Sequence, residues 1–267
     1  MIINTRKFSM PIITLTSDWG QRDYFLAAVK GKILNLLPSA SIIDISHSIS
    51  PFNLKQASFI IRNSYPHYPE GTVHILSILT EKTEKTPHLA VKYDGQYFIG
   101  ADNGIFSLIF EHSPERIVRI SPPDESGIKD IPARDRFVKS AVHLASGLPI
   151  EQLGDPIAEW KEQLHFLPVV SGDVIRGVVI YINQYENVVT NITRDLVEKT
   201  GKGRKFIIEF RGEALKGISQ SYQEVPIGEI VALFGSTGHL EIAINQGNAA
   251  SLLGLDINDP VRVEFKV

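Results

Sequence analysis

The 267-residue chain has no cysteine. Disulfides, thiolate metal sites and cysteine nucleophiles are therefore excluded, and a reducing cytoplasm is the compartment that suits such a chain. Long hydrophobic runs are missing too: no apolar stretch approaches the ~20 residues of a membrane span. Residues 1–9 lack the apolar core of a signal peptide, so they read as a loose extension, or else Met10 is the true start. Nor does one sign of charge dominate. With 27 Lys and Arg against 30 Asp and Glu the net charge is −3, which offers nothing to a nucleic-acid partner. The dinucleotide fingerprint, phosphate loop, zinc-protease motif and nucleophile elbow are all absent. The eight histidines are scattered, with His74 in a strand pattern and His143 in a helical one, as packed or surface residues are. No metal site is expected.

At this length about three quarters of the unfolded surface is hidden on folding, in one large domain or two smaller ones. The first half alternates in period. Ile12, Ile13 and Leu15 with Thr14 and Thr16 form a short β-branched run, and Phe25, Leu26, Val29 and Ile33 then follow helical spacing up to Pro38. Ile42, Ile43 and Ile45 read as a second buried strand, residues 54–63 as a second helix, and Val73, Ile75, Leu76 and Ile78 as a third strand. Two strand–helix–strand units in succession imply a parallel sheet with right-handed crossovers. Residues 89–91 and 97–99 flank Asp94-Gly95, a hairpin turn. A short helix over 105–110, a strand through Val118 and Ile120, a Pro-, Asp- and Gly-rich loop over 121–130 and a helix ending at Gly147 complete this half. Near Ser171-Gly172 the pattern changes to strands separated by Gly and Asn turns, at 174–182, 206–210, 230–234, 240–244 and 261–267. The expected architecture is an α/β N-terminal domain over 10–170 with a mainly parallel sheet, and an all-β, barrel- or sandwich-like C-terminal domain over 171–267.

Asp18 falls where the first strand ends and a helix is about to begin. Ligands of open α/β sheets bind at the carboxyl ends of strands, and a carboxylate there can accept hydrogen bonds from a sugar diol. Asp23, five residues on, is placed to cap the following helix. The plainer reading makes both aspartates loop and cap residues. The polar stretch 80–87 reads as a solvated loop, and Lys82, Lys85, Arg134 and Arg136 as loop cations that either face an anion or face solvent.

Several stretches in order are more specific than any one: Thr16-Ser17-Asp18-Trp19-Gly20 with Asp23, Ile45-Ser46-His47 with Pro51, Gly71-Thr72-Val73-His74, Gly100-Ala101-Asp102-Asn103-Gly104, VIYINQYENVVTNI at 179–192 and STGHLEIAINQGNAASLLG at 236–254. From Met10 onward the chain resembles the S-adenosylmethionine (SAM) hydroxide adenosyltransferases, or SAM hydrolases, relatives of fluorinase and chlorinase. The resemblance implies an α/β domain, a C-terminal β-barrel, and a homotrimer with SAM bound between one subunit's N-terminal domain and its neighbour's C-terminal domain. It implies attack of water or hydroxide on C5′ of the ribose, giving adenosine and methionine, with SAM as substrate and no cofactor. By the same resemblance Asp18 binds the ribose hydroxyls, with Asp23 a nearby acidic position. Phe52 supplies an aromatic wall, Asn187 touches the nucleoside, and Ser236 contacts the methionine carboxylate end.

The nucleophile side departs from the family pattern. Where the family carries an aspartate after the third strand, an arginine seven residues later and a histidine before an Arg-Asp pair, this chain has Leu79, Thr86 and Pro132. Arg134 and Asp135 remain. The barrel aspartate for the methionine amine reads Asn183. Two readings follow: a divergent hydrolase whose water is positioned by Glu81, Glu84, Arg134 or Asp135, or a degenerate SAM- or adenosine-binding protein acting as sensor or scavenger.

Overall fold

The computed structural model describes residues 10–121, 131–164 and 167–266. The chain divides into two compact units, Met1–Leu164 and His165–Val267.

The first unit is built on a seven-stranded sheet. Its strands are β1 (Ile12–Ser17), β2 (Ser41–Ser46), β3 (Val73–Ser77), β4 (His88–Tyr93), β5 (Gln96–Ala101), β6 (Arg116–Ile120) and β7 (Gly154–Pro156), in the order β2-β1-β3-β5-β4-β6-β7. The first four in that order run parallel, while β4, β6 and β7 add antiparallel pairs. Alternation along the strands sorts the core into two layers. Ile13, Leu15, Val73, Ile75 and Ile99 meet α1 (Phe25–Leu36) and α4 (Val138–Ala145) through Val29, Ile33, Val138 and Ala141. Leu76, Ile78, Leu89 and Phe98 meet α2 (Leu54–Arg62) and α3 (Ile105–Ile109) through Ala57, Ile61, Ile105 and Phe106. The expected hairpin turn is present: Asp94 and Gly95 take φ +49° and +70°, the paired left-handed values of a tight β4–β5 connection.

Three local readings change. β2 is the edge strand, so Ile42 and Ile43 are only half-buried. Asp23 does not cap α1. Tyr24 already has helical dihedrals (φ −74°, ψ −12°) and takes the cap position without a side-chain bond, so Asp23 lies one residue outside the helix and stays exposed. The helix through Phe137 begins with one wide π turn, Ala133–Phe137, before α4. Apart from Ser121, the loop expected over 121–130 lies outside the described residues.

The second unit is an antiparallel, nearly closed, barrel-like sheet. It comprises β8 (Val169–Ser171), β9 (Val174–Ile182), β10 (Val188–Thr193), β11 (Phe206–Phe210), β12 (Glu213–Leu215), β13 (Ile230–Phe234), β14 (His239–Ile244) and β15 (Pro260–Phe265), in the order β12-β11-β15-β9-β10-β14-β13 with β8 on β9. Ile175, Val188, Ile208, Leu240, Ile242 and Val263 fill its interior. Two short helices are inserted, α5 (Arg194–Gly201) and α6 (Ala249–Leu253). α5 starts where the Thr193 side chain accepts the Leu196 N–H, with Asp195 in the first turn and Lys199 in the last, so cap and charges both suit the helix dipole.

Candidate functional site

In the first unit the polar loops converge on the carboxyl ends of the parallel strands. Ser17, the last residue of β1, is in register with Ser77 at the end of β3. Asp18 follows directly. Its Oδ2 accepts the backbone N–H of Phe52 at 2.9 Å. Phe52 stands at φ +66° and the residue is 69% exposed, so the loop before α2 is bent to present an N–H to Asp18 and to leave an aromatic residue uncovered. The bend is framed on both sides: Asn53 caps α2 by accepting the Gln56 N–H, and Gln56 Oε1 accepts the Ser50 N–H.

Behind Asp18 lies a polar strap that residue types alone did not reveal. Ser17 Oγ and His47 Nδ1 are 2.7 Å apart, His47 Nε2 lies 3.1 Å from Asp44 Oδ1, and Lys30 Nζ donates to Asp44 Oδ2 at 2.6 Å. The His47 carbonyl also accepts the Gly20 N–H at 2.9 Å. Both ends of the loop carrying Asp18 are thus tied to the end of β2. Partial burial pushes the Asp44 carboxyl up, but Lys30 and His47 outweigh it and hold the group below the ordinary carboxylate value. Asp23 lies on the same loop, exposed.

The loop after β3 is pinned rather than loose. Asn103 Nδ2 donates to the carbonyls of Ile78 (2.9 Å) and Leu79 (3.2 Å), and its Oδ1 accepts the Ile105 N–H. Leu79 is held at φ +48°, a conformation of real cost for a branched aliphatic residue. Thr83 and Thr86 then close a small turn through reciprocal backbone bonds and a hydroxyl pair at 2.5 Å. Thr86 Oγ1 also donates to the Glu81 carbonyl, and the Glu81 side chain is exposed. The turn therefore consumes the polar group of Thr86 internally.

Arg134 and Asp135 sit on the π turn, which packs against α1 and β3. Arg134 Nε and Nη2 donate to the two oxygens of Asp135 at 2.8 and 2.7 Å, and Asp135 Oδ2 also accepts the Ile131 N–H. The guanidinium, aided by that backbone bond, holds the Asp135 carboxyl below the usual range against the opposing effect of burial. A carboxylate so held is a weak base. His88, at the start of β4, links this turn to the loop after β3: its Nε2 lies 2.9 Å from the Thr80 carbonyl, and its ring packs edge-on against Phe137.

In the second unit, Asn183 and Asn187 bracket the β9–β10 hairpin. Asn183 Oδ1 accepts the N–H groups of Tyr185 (2.9 Å) and Asn187 (3.0 Å), so it first of all builds the turn that aims Asn187. The Asn187 side chain is nearly buried and donates from Nδ2 to Glu241 Oε1 at 2.9 Å. The Tyr222 hydroxyl donates to the same oxygen at 2.6 Å. Burial first, and Glu241 second, push the Tyr222 hydroxyl up to about 12. Ser236 is exposed in the β13–β14 turn. It adjoins Gly235, where an added Cβ would lie 2.7 Å from Glu241 Oε2, so Glu241 sits between the Asn187 hairpin and the Ser236 turn. Glu241 and Tyr222 were not singled out from the sequence. Glu241 lay inside the quoted stretch 236–254, but only the pairing of β10 with β14 puts it beside Asn187.

The structure thus joins Asp18 to Phe52, Arg134 to Asp135 and Asn183 to Asn187. Glu81 is carried on the pinned loop, and Asp23 and Ser236 make no side-chain hydrogen bond to these pairs among the described residues.

An α/β unit with its polar loops at the strand ends, followed by an antiparallel barrel-like unit, defines the class. Within that class the chain belongs to the SAM hydroxide adenosyltransferase family: residues 13–154 match its N-terminal domain and residues 177–262 its C-terminal domain. Among curated relatives, a Thermus thermophilus protein named (R)-S-adenosyl-L-methionine hydrolase is 31% identical over 92% of this chain and 97% of its own. A Methanocaldococcus jannaschii protein of the same name is 29% identical over 99% and 100%. A fluorinase from Actinopolyspora mzabensis is 26% identical over 96% and 98%. Among solved structures, an uncharacterized conserved protein from Thermotoga maritima superposes with a TM-score of 0.83 at 28% identity, covering 94% of this chain and 99% of that one.

Proposed function

We propose that this protein hydrolyses S-adenosylmethionine to adenosine and L-methionine. The observation that carries the reading is the carboxylate of Asp18, placed just past the end of β1 with one oxygen fixed by the Phe52 N–H and the other accepting no bond among the described residues. Such a group is prepared to receive a vicinal diol, and its charge favours a bound sulfonium. Phe52 would supply an aromatic wall, Asp23 a second acidic position, Asn187 an amide edge for the adenine, and Ser236 and Asn183 polar groups for the methionine end.

The reaction needs little from the protein beyond placement. A water oxygen attacks C5′ opposite sulfur, the C5′–S bond breaks, methionine leaves with the electron pair, and the water loses a proton. The sulfonium is already a good leaving group, so in-line positioning and removal of the nucleophile's water shell supply most of the barrier reduction. Glu81, Arg134 and Asp135 are the polar side chains we assign to holding that water. The protein acts without a cofactor, in the cytoplasm, as a homotrimer in which one subunit's first unit and its neighbour's second unit share the substrate. No helix among the described residues is long and apolar enough to cross a membrane.

A second reading, binding of SAM or adenosine without turnover, is favoured by two features. The loop after β3 offers apolar Leu79 and spends Thr86 on its own turn, and Asp135 is a weakened base. Incubation of the purified protein with SAM, with chromatography for adenosine and methionine, separates the two. Adenosine above both a protein-free blank and Asp18→Ala supports hydrolysis. Tight adenosine binding with no product supports the second reading.

A further inference from the structure

We infer that Glu241 is a positioning residue that fixes the side-chain amide of Asn187 so that the site accepts a 6-aminopurine and discriminates against a 6-oxopurine. This rests on the reading above, in which Asn187 faces the nucleoside base.

The inference follows from which atoms are committed. An amide can turn either end toward a neighbour, and the partners decide which. Here the neighbour is a carboxylate oxygen that already accepts the Tyr222 hydroxyl proton at 2.6 Å. Against such an acceptor only Nδ2 can face it, and it does, at 2.9 Å. Asn187 Oδ1 therefore points elsewhere, and it accepts no hydrogen bond among the described residues. The second N–H of the amide reaches only toward the Tyr222 oxygen at 3.4 Å, longer than a normal N–H···O bond. One acceptor and one loosely held donor are left side by side. That is the complement of the N7 acceptor and 6-amino donor of adenine. Replacing the amino group by an oxo group sets acceptor against acceptor.

Glu241 is itself held in place. It is nearly buried on β14, and its Oε2 occupies the space that a Cβ on Gly235 would enter. The three groups come from the β9–β10 hairpin, the turn at Tyr222–Glu224 and β14, so the device exists only in the folded unit.

The test is the ratio of dissociation constants for adenosine and inosine, measured by calorimetry on the full chain. Wild type should favour adenosine by about 10- to 100-fold, the discrimination of one bidentate amide–base pair. In Glu241→Gln the new amide can present either end to Asn187, so the orientation is no longer dictated and the ratio should fall toward one while the melting transition persists. Gly235→Ala, which crowds Oε2, should lower the ratio in the same direction and serves if the first variant does not fold. An unchanged ratio in a folded variant of either kind overturns the inference. So does a wild-type protein that binds the two nucleosides equally while Asn187→Ala weakens both, a result that leaves the parent reading intact. If Asn187→Ala leaves adenosine affinity unaltered, the assignment of Asn187 to the base fails and this inference fails with it, while the reading carried by Asp18 is tested separately by Asp18→Ala.

Discussion

Replacing Asp18 tests the nucleoside site where its geometry is most explicit. Its carboxylate spends one oxygen on the Phe52 N–H at 2.9 Å and keeps the other for a ligand. A hydrogen bond to a charged group contributes about 1.5–3 kcal/mol, and a ribose diol offers two hydroxyl donors. Allowing for competition from water, Asp18→Ala should weaken adenosine and SAM binding by about 3–4 kcal/mol, or roughly 150- to 1,000-fold in Kd. Asp18→Asn keeps an acceptor for the Phe52 N–H but puts an amide NH2 where the ligand-facing oxygen stood, so it loses that acceptor as well as the charge, and its loss should approach that of Asp18→Ala. The fold should barely notice either change. The Phe52 N–H lies in an exposed bend where water can replace the carboxylate, so we expect a stability loss below about 1 kcal/mol. Titration calorimetry with adenosine, alongside thermal unfolding, reads both quantities. A folded Asp18→Ala that binds adenosine within about threefold of wild type would refute the assignment of Asp18 to the ribose, whatever the protein's activity.

Three further outcomes follow from the structure. His74 is fully buried between Thr14 Oγ1 and Gln96 Oε1, each at 2.7 Å, and desolvation lowers its pKa to about 4. The unfolded chain binds that proton near pH 6.5, so the stability from keeping His74 neutral is present above about 6.5 and is lost as pH falls toward 4, by about 2–3 kcal/mol at pH 4.5; urea midpoints at pH 7 and 4.5 should show it, and His74→Gln should flatten the difference. Gly104 stands at φ +98° with the Gln163 side chain where a Cβ would go, so Gly104→Ala should cost about 1–3 kcal/mol in denaturant melts; a neutral result would mean that the backbone before α3 relaxes freely. Arg134→Met should lower stability by less than about 1 kcal/mol because the pair is partly solvated, and should raise the Asp135 pKa, seen by carboxyl NMR titration. An unmoved Asp135 would show that Arg134 is not what holds it down.

Local chemistry was readable from the sequence where a residue's role depends on its neighbours in the chain. The apolar runs of β1 and β3 and the Asp94-Gly95 turn declared themselves, because side-chain alternation and left-handed backbone are local demands. α5 did not, since the β-branched run of β10 passes straight into it and only the Thr193 cap marks the change. Asp23 misled because the loop spends one more residue, Tyr24, before the helix begins. In the candidate site, Asp18 was legible from its place at a strand end. Its bond to Phe52 spans 34 residues and depends on the β1–β2 crossover. Likewise, Asn187 and Glu241 are 54 residues apart and meet only through strand register, so no periodicity could announce the pair. The Ser17–His47–Asp44–Lys30 strap is hidden in the same way, as it joins two strand ends and a helix.

The central claim is that water attacks C5′ of S-adenosylmethionine, and labelling the water tests it most directly. The protein is incubated with SAM in oxygen-18 water and the nucleoside product is analysed by mass spectrometry. Adenosine carrying the label in its 5′-hydroxyl, absent from the Asp18→Ala and protein-free controls, is the result predicted. Unlabelled adenosine, or SAM consumed only to products in which the C5′–S bond is intact, would contradict it.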